Sequence, residues 1–110
     1  MSVMDATQAR EPIPLPEARA LAELLQTLGD PTRLRILTAL ETVCVPVTAI
    51  VEATGLRQPA VSHHLRILRD RGLVIGERRG GFVYYCLATD GLRGALDALR
   101  PLTPATGVAS

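Results

Sequence analysis

The sequence contains no tryptophan, and tyrosine and phenylalanine together make up only 3% of its 110 residues. A hydrophobic core must therefore be built from leucine, valine, isoleucine and alanine. Hydrophobic residues make up 47% of the chain, which is enough for the core of one small domain. An aliphatic core with so few aromatic rings favours packed helices over an all-β sandwich.

Long hydrophobic runs are also absent. No stretch approaches the roughly 18 to 20 apolar residues that a membrane-spanning helix needs, and there is no signal-peptide pattern. We therefore expect a soluble protein in the cytoplasm. The chain has only two cysteines, Cys44 and Cys86, and in that compartment we expect reduced thiols rather than a disulfide framework.

Lysine is absent as well, so all basic side chains are arginine, and the formal net charge is only +1. The charge is unevenly distributed. Between positions 57 and 79 there are six arginines and two acidic residues, whereas the rest of the chain has six arginines and nine acidic residues. A basic segment on a mildly acidic body is typical of a protein that orients on a polyanion, although a solvated helix face has a similar composition.

Residues 1–16 combine three prolines with small and polar residues, which predicts a flexible arm. Leucine and alanine then recur at helical spacing over residues 17–28, which predicts a first helix that ends at Gly29. Asp30 can accept hydrogen bonds from the free N–H groups of a following helix, whose first turn tolerates proline. A second helix is therefore predicted over residues 31–40.

A third, short helix is predicted over residues 47–54, after a connection at residues 41–46. Gly55 follows it and supplies the positive φ that a tight turn between two helices needs. A fourth helix then begins near Gln58 and ends at Gly72. Its apolar side chains recur at helical spacing and are Val61, Leu65, Leu68 and the following Leu73.

The opposite face of this fourth helix carries polar groups of several kinds. They are the side chains of Gln58, Ser62, His63, Arg66 and Arg69. Amide, hydroxyl, imidazole and guanidinium groups are those that bind base edges in the major groove and the flanking phosphates. The face therefore predicts a helix that binds DNA.

After Leu73 the hydrophobic period changes to two. Residues 73–87 predict two strands joined by a glycine-rich tip, with Arg78 and Arg79 at that tip. A basic hairpin beside a DNA-binding helix predicts a second contact, to a phosphate or to the neighbouring minor groove.

Thr89 and Asp90 predict the start of a last helix, and residues 101–110 predict a flexible tail. The apolar stripe of this helix consists of Leu92, Ala95, Leu96 and Leu99. A domain this small cannot easily bury the stripes of both its first and its last helix, so we expect the two helices to pair with a second copy. The candidate interface residues are Leu21, Leu24, Leu25, Leu92, Leu96 and Leu99.

Three runs stand out together, namely LGDPTRLRIL, TGLRQPAVSHHLRILRDRGLV and ERRGGFVYYCL. Over residues 17–100 they resemble the arsenic-repressor (ArsR/SmtB) family of bacterial regulators. The resemblance implies a mainly α, winged helix-turn-helix domain with a small β-hairpin, in the order four helices, two strands and a fifth helix. It also implies a homodimer that represses transcription from a palindromic operator in double-stranded DNA.

The resemblance also assigns DNA contacts by position. They fall on Gln58, Pro59, Ser62 and His63 in the fourth helix and on Arg78 and Arg79 in the β-hairpin, which is called the wing. Arg66 on the same helix face completes the candidate set. Pro59 departs from the polar residue frequent at its position, so its contact would be to a thymine methyl group or a sugar.

No effector is identified by the resemblance. Metal-sensing members bind zinc, nickel or cobalt between two copies of the last helix through histidine and acidic residues, whereas this helix has Asp90 and Asp97 and no histidine. Two carboxylates alone make a poor transition-metal site. A role as a metalloregulator, with nickel or zinc at an unidentified site, stays open.

The cysteines are the other candidates for effector sensing. Members that sense arsenic or cadmium carry paired cysteines near the junction of the second and third helices, where this chain has Cys44 alone. Thiol-switch members place one cysteine on the second helix and one on the last, whereas Cys86 falls in the second wing strand. The alternative is that both residues are small buried hydrophobic side chains.

Two other classes of function are open to such a chain. A winged helix that binds a partner protein would show only nonspecific, strongly salt-dependent affinity for DNA. An enzyme is not expected, because there is no glycine-rich phosphate loop after a strand, no pair of catalytic carboxylates and no Ser-His-Asp arrangement. The adjacent His63 and His64 point about 100° apart on a helix and do not converge on one metal ion.

Overall fold

The computed structural model describes residues 7–104, which form five α-helices and a small antiparallel sheet. In chain order the elements are α1 (Leu15–Leu28), α2 (Pro31–Ala39), β1 (Val45–Pro46), α3 (Val47–Thr54), α4 (Gln58–Asp70), β2 (Val74–Arg79), β3 (Phe82–Leu87) and α5 (Asp90–Leu99), followed by a 3₁₀ turn at Arg100–Leu102. This confirms the mainly α winged helix-turn-helix fold with its hairpin, and it adds one strand that the sequence did not predict. Within this part of the chain, no helix has the length and apolar character needed to cross a membrane.

The two ends of the described chain differ from the prediction in detail. Helix α1 begins at Leu15, inside the predicted arm of residues 1–16, because Pro16 falls in its first turn, where the missing N–H costs nothing. At the other end the 3₁₀ turn contains Pro101, which was predicted to belong to the tail. The remainder of these two predictions concerns residues 1–6 and 105–110, which lie outside the described residues.

Side-chain caps start two of the helices where the sequence predicts them. The carboxylate of Asp30 accepts hydrogen bonds from the backbone N–H of Thr32 at 2.8 Å and of Arg33 at 3.1 Å. The hydroxyl of Thr89 accepts from the N–H of Leu92 at 3.2 Å. Both caps satisfy donors that have no partner inside the helix, so they fix the first residues of α2 and α5.

Gly55 forms the turn between α3 and α4. Its φ is 73°, in the left-handed region, and its N–H donates to the carbonyl of Val51 at 2.8 Å. Residues with a Cβ adopt this conformation only at a cost. The glycine therefore allows the chain to turn sharply and sets α4 against α3.

The sheet has the strand order β1-β3-β2. Strands β2 and β3 form the predicted hairpin around Gly80 and Gly81, with Val74 opposite Leu87 at its base. The unpredicted strand β1 pairs antiparallel with the other edge of β3, so that Val45 lies opposite Tyr85. The wing is thereby joined to the chain immediately before α3.

The core is aliphatic, as the composition predicts, and every helix contributes at least one buried side chain to it. Its buried members are Leu28, Ile36, Leu37, Leu40, Ile50, Val61, Leu65, Leu68, Val74, Leu92 and Leu96. Leu92 and Leu96 were predicted to face a second copy, but they are only 8% and 3% exposed in the single chain. The reason is that α5 packs against β3, and this contact turns part of its stripe inward.

Candidate nucleic-acid interface

Helix α4 has one buried face and one exposed face. Val61, Leu65 and Leu68 are at most 3% exposed and belong to the core. The predicted polar side chains are all open to solvent, and they are Gln58, Ser62, His63, Arg66 and Arg69. The apolar Pro59 is exposed as well. Because core contacts recur every three or four residues, the polar groups between them share the outer face. These groups are therefore available to a ligand.

Part of this outer face meets the wing. Ser62, Arg66 and Arg69 of α4 line a shallow cleft of about 140 Å³ together with Tyr85 of β3. The cleft combines two guanidinium groups with a hydroxyl and a phenol ring. Helix α4 and the wing thus offer one shared surface on which a polyanion can lie.

Arg79 of the wing is engaged by its own hairpin. Its guanidinium donates two hydrogen bonds to Oε1 of Glu77, at 2.7 Å and 3.2 Å. The same group lies over the ring of Tyr84, with 4.9 Å between the guanidinium carbon and the ring centroid. Its charge is therefore partly balanced before any ligand binds.

Arg78 projects from the opposite face of the wing, since side chains alternate along a strand. Its cross-strand partner is Val83, and the same face carries Val74 and Tyr85, which pack toward the core and α4. Among residues 7–104, no carboxylate or carbonyl accepts a hydrogen bond from Arg78. Arg78 is thus the wing cation on the side of α4.

His63 and His64 have different surroundings, as their helical positions require. Their rings meet edge to face with 5.3 Å between centroids, and His63 is exposed whereas His64 is half-buried. Burial lowers the pKa of His64, and the nearby carboxylate of Asp30 opposes that shift. The imidazole of His64 therefore lies close to Asp30 at the start of α2, while His63 faces outward.

The far end of α4 is held by contacts that the sequence does not reveal. Arg71 donates to Oγ1 of Thr27 at 3.3 Å, and Arg33 donates to the backbone carbonyl of Thr27 at 3.2 Å. Thr27 is 5% exposed. The last turn of α1 is thereby tied to both α2 and α4. The Arg71 contact joins residues 44 positions apart, and no local pattern marks such a pair.

Comparison with known proteins identifies the family. The family profile described as "Bacterial regulatory protein, arsR family" matches residues 30–75. The HTH-type transcriptional regulator NmtR of Mycobacterium tuberculosis is 47% identical over 76 residues, a match that spans 69% of this chain and 63% of that relative's length. The solution structure of apo-NmtR has a TM-score of 0.72 and 37% sequence identity, and the match covers 94% of this chain and 89% of that chain. The chain belongs to the arsR family.

A further solved structure is similar along most of its length. It is Mb0332 from Mycobacterium bovis, described as a homodimeric winged helix-turn-helix DNA-binding domain and a possible ArsR-family transcriptional regulator. It has a TM-score of 0.70 and 26% sequence identity, and the match covers 84% of this chain and 89% of that chain. The wing and the α4 surface thus belong to a fold that this relative shares.

The two cysteines of this arsR-family chain form a disulfide bond. The expectation of two reduced thiols, and the alternative of two unbonded hydrophobic side chains, are both wrong for this structure. Cys44 immediately precedes β1 and lies opposite Cys86, with 4.4 Å between the Cα atoms, a spacing found between facing residues of antiparallel strands. The sequence does not reveal this pair because β1 has only two residues and shows no alternation.

The described side chains of one copy do not form a metal site. Residues 7–104 contain no group of three or more histidine, cysteine, aspartate and glutamate side chains that could hold a metal ion. Asp90 and Asp97, the carboxylates of α5, are two helical turns apart, roughly 10 Å along the axis. Cys44 and Cys86 are bonded to each other. No metal-dependent step can be assigned to these donors.

The three predicted interface leucines of α1 remain on the surface. Leu21, Leu24 and Leu25 are 46%, 37% and 48% exposed, and Leu99 at the end of α5 is 41% exposed. Beside them α1, α2 and α5 surround an apolar cavity of about 420 Å³, whose leucine lining consists of Leu25, Leu28, Leu34, Leu96 and Leu99. Neighbouring exposed apolar side chains beside an apolar cavity are typical of an interaction site. Four of the six predicted interface residues are therefore free to contact a partner.

Proposed function

We propose that this arsR-family chain is a sequence-specific DNA-binding transcriptional repressor that acts as a homodimer on a palindromic operator. The observation that carries the proposal is the exposed polar face of α4, which shares a cleft with the wing. Side-chain hydroxyl, imidazole and guanidinium groups on an exposed helix are suited to base edges and phosphates. Relatives named as transcriptional regulators support the same function.

In the proposed complex, α4 lies in the major groove and the wing contacts the flanking backbone. Gln58, Ser62 and His63 lie in the N-terminal half of α4, the part of a recognition helix that approaches base edges. Arg66 and Arg69 lie further along the helix, where guanidinium groups bind phosphate oxygens. Pro59 has no donor, so its contact is apolar.

We assign the contact between copies to the exposed leucines of α1, with Leu99 of α5. A two-fold symmetric dimer brings the same patch of each copy together and presents two α4 helices to half-sites about one helical turn of DNA apart. The description of Mb0332 as homodimeric supports this assembly. The operator is accordingly expected to be palindromic.

An effector such as a nickel or zinc ion would need ligands beyond those within one copy of residues 7–104. A second copy, or the residues outside this range, would have to supply them. Operator binding measured with and without nickel, zinc, cobalt, cadmium and arsenite tests each ion in turn. A response to one of them would identify the effector, and a response to none would remove this part of the proposal.

The DNA-binding function is tested by selecting a site from random duplexes and measuring affinity for it by gel shift. Ser62→Ala combined with His63→Ala should weaken binding by about 2–6 kcal/mol, since each lost contact costs about 1–3 kcal/mol. Both side chains are exposed, so circular dichroism should be unchanged. Gln26→Ala, at another exposed helical position, is the control that should bind like the wild type.

Two results would contradict the proposal. An affinity unchanged by the double substitution would remove α4 from the interface. Binding without sequence preference, falling steeply with salt, would instead indicate a winged helix that recognises a partner protein.

A further inference from the structure

The disulfide joins two parts of the molecule that the proposed function uses separately. Cys44 immediately precedes β1, which leads through Pro46 directly into α3, and Cys86 lies in the wing strand β3. The bond therefore connects the entrance of the helix-turn-helix to the hairpin that flanks α4.

Without the disulfide, few backbone contacts join β1 to β3. The β1–β3 ladder consists of two residue pairs, and Pro46 has no N–H to donate. The wing also has a second attachment, because Val74 at the base of β2 is 1% exposed and Leu73 donates to the carbonyl of Leu68 at 2.9 Å. Breaking the disulfide should thus loosen the wing beside β1 without unfolding the domain, because Tyr85 and Leu87 of β3 still pack against the core.

A small thiol can reach the bond from solvent. Cys44 is half-buried and Cys86 is 9% exposed, and both line a cavity of about 210 Å³ beside α5. The ion pair of Arg93 and Asp90, 3.4 Å apart, lines the same cavity. The cavity thus brings a guanidinium and a carboxylate group to the side of the molecule on which the disulfide lies.

We propose that Cys44 and Cys86 form a reversible redox site, opened by low-molecular-weight thiols, that controls how firmly the wing is held beside α4. The oxidised chain binds the operator more tightly than the reduced chain, because a fixed wing loses less conformational freedom on binding. The DNA-binding part rests on the proposed function. The change in wing mobility does not depend on the proposed function.

The exchange proceeds in two balanced steps. A thiolate RS⁻ attacks Sγ of Cys44, forming a mixed disulfide, and Cys86 leaves as a thiolate with the electron pair of the broken S–S bond. A second RS⁻ attacks the sulfur of R in the mixed disulfide, releasing RSSR and the Cys44 thiolate, and both cysteines take up protons. Two thiols RSH are oxidised to RSSR and the protein disulfide is reduced to two thiols. The reverse reaction uses RSSR as the oxidant.

The test compares the oxidised full chain with the same chain treated with dithiothreitol. Thiol titration should find no thiols before reduction and both after it, with recovery of the disulfide on removal of the reductant and addition of oxidised glutathione. Hydrogen exchange should become faster in β3 and around β1 and stay unchanged in α2. Affinity for the selected operator should fall roughly tenfold on reduction, as expected for the loss of preorganisation at one of two contacts.

A variant with Cys44→Ser and Cys86→Ser should resemble the reduced chain and should not respond to dithiothreitol. The reduced wild type needs no substitution, so a folding defect of the variant would leave the comparison intact. The proposal is overturned if the disulfide cannot be re-formed, if wing exchange is the same in both states, or if the reduced chain binds the operator as tightly or more tightly. Absence of DNA binding in both states would refute the proposed function, and hydrogen exchange would still decide the redox control of the wing.

Discussion

The guanidinium group of Arg79 lies 2.7 Å from Oε1 of Glu77 on one face of β2, whereas the neighbouring Arg78 projects from the other face. The two arginines look equivalent in the sequence. In the structure one is balanced by a carboxylate and stacked on Tyr84, and the other faces the side of α4. Their contributions to binding a polyanion should therefore differ.

Arg78→Ala should weaken operator binding more than Arg79→Ala. Loss of one phosphate contact lowers the slope of log K against log salt concentration by about 1, and we expect that change for Arg78→Ala. Fluorescence anisotropy with labelled operator at several salt concentrations measures it. Glu77→Gln is the complementary variant, since freeing Arg79 should steepen the slope. Equal effects of the two alanine substitutions would contradict the different roles.

Leu21→Glu combined with Leu25→Glu should convert the proposed dimer to a monomer. Burial of a leucine side chain contributes about 1.5–3 kcal/mol, and each substitution acts in both copies, so the dimer dissociation constant should rise by roughly a hundredfold or more. Size-exclusion chromatography with light scattering measures the mass. Ile75→Glu, at a wing residue that is also 46% exposed, should leave the dimer intact. A dimer that survives the α1 substitutions would place the interface elsewhere.

His64 should make the domain less stable in mild acid. Burial lowers the pKa of His64 below its ordinary value of 6.5, so the unfolded chain takes up the proton first as pH falls. The stability contributed by the neutral imidazole is complete above about pH 6.5 and is lost as pH falls below it. Urea denaturation between about pH 7.5 and pH 5.5 should show a declining midpoint.

Two histidine variants separate this effect from general acid sensitivity. His64→Gln should flatten the pH dependence in that window, whereas His63→Gln, at the exposed neighbouring position, should retain it. Asp30 acts in a different window, because hydrogen bonds from the N–H groups of Arg33 and Thr32 lower its pKa below 3.8. Its contribution is present above that value and is lost only as pH falls further. A profile unaltered by His64→Gln would show that another group titrates.

Gly55→Ala should lower the free energy of unfolding by about 1–2 kcal/mol, the cost of the left-handed conformation for a residue with a Cβ. A Cβ at this position would meet no atom within 4 Å, so the backbone conformation alone accounts for the loss. Gly91→Ala in the first turn of α5 is the control, since its Cβ would lie 3.6 Å from Oγ1 of Thr89 and alanine favours helices. Urea denaturation measures the free energy of unfolding of both variants. If Gly55→Ala were as stable as the wild type, the left-handed conformation at Gly55 would not require glycine.

Features fixed by neighbouring residues could be predicted from the sequence. The start of α2 depends on Asp30 and Pro31, and the turn before α4 depends on Gly55, so both follow from local backbone chemistry. The amphipathic pattern of α4 likewise separates core from surface. The candidate DNA-contacting residues on α4 are for this reason exposed where the sequence predicts.

Features fixed by distant residues could not be predicted. Strand β1 exists because β3 provides a free edge, and the Cys44–Cys86 bond follows from that pairing. Leu92 faces inward because of where α5 packs, although its spacing is the same as that of an interface stripe. The contact of Arg71 with Thr27 likewise joins residues that are far apart in the sequence. Each depends on tertiary packing, for which helical or strand periodicity carries no signal.

The bond between Cys44 and Cys86, which are 42 positions apart in sequence, closes a covalent ring that contains α3, α4 and β2. The exposed turn at Gly80 and Gly81 lies inside this ring. A protease that cuts there would not separate the chain into two pieces while the disulfide is intact. The nicked protein would migrate as one species without reductant and as two with it. Helix α4 is therefore connected to the rest of the molecule both through the backbone and through the disulfide.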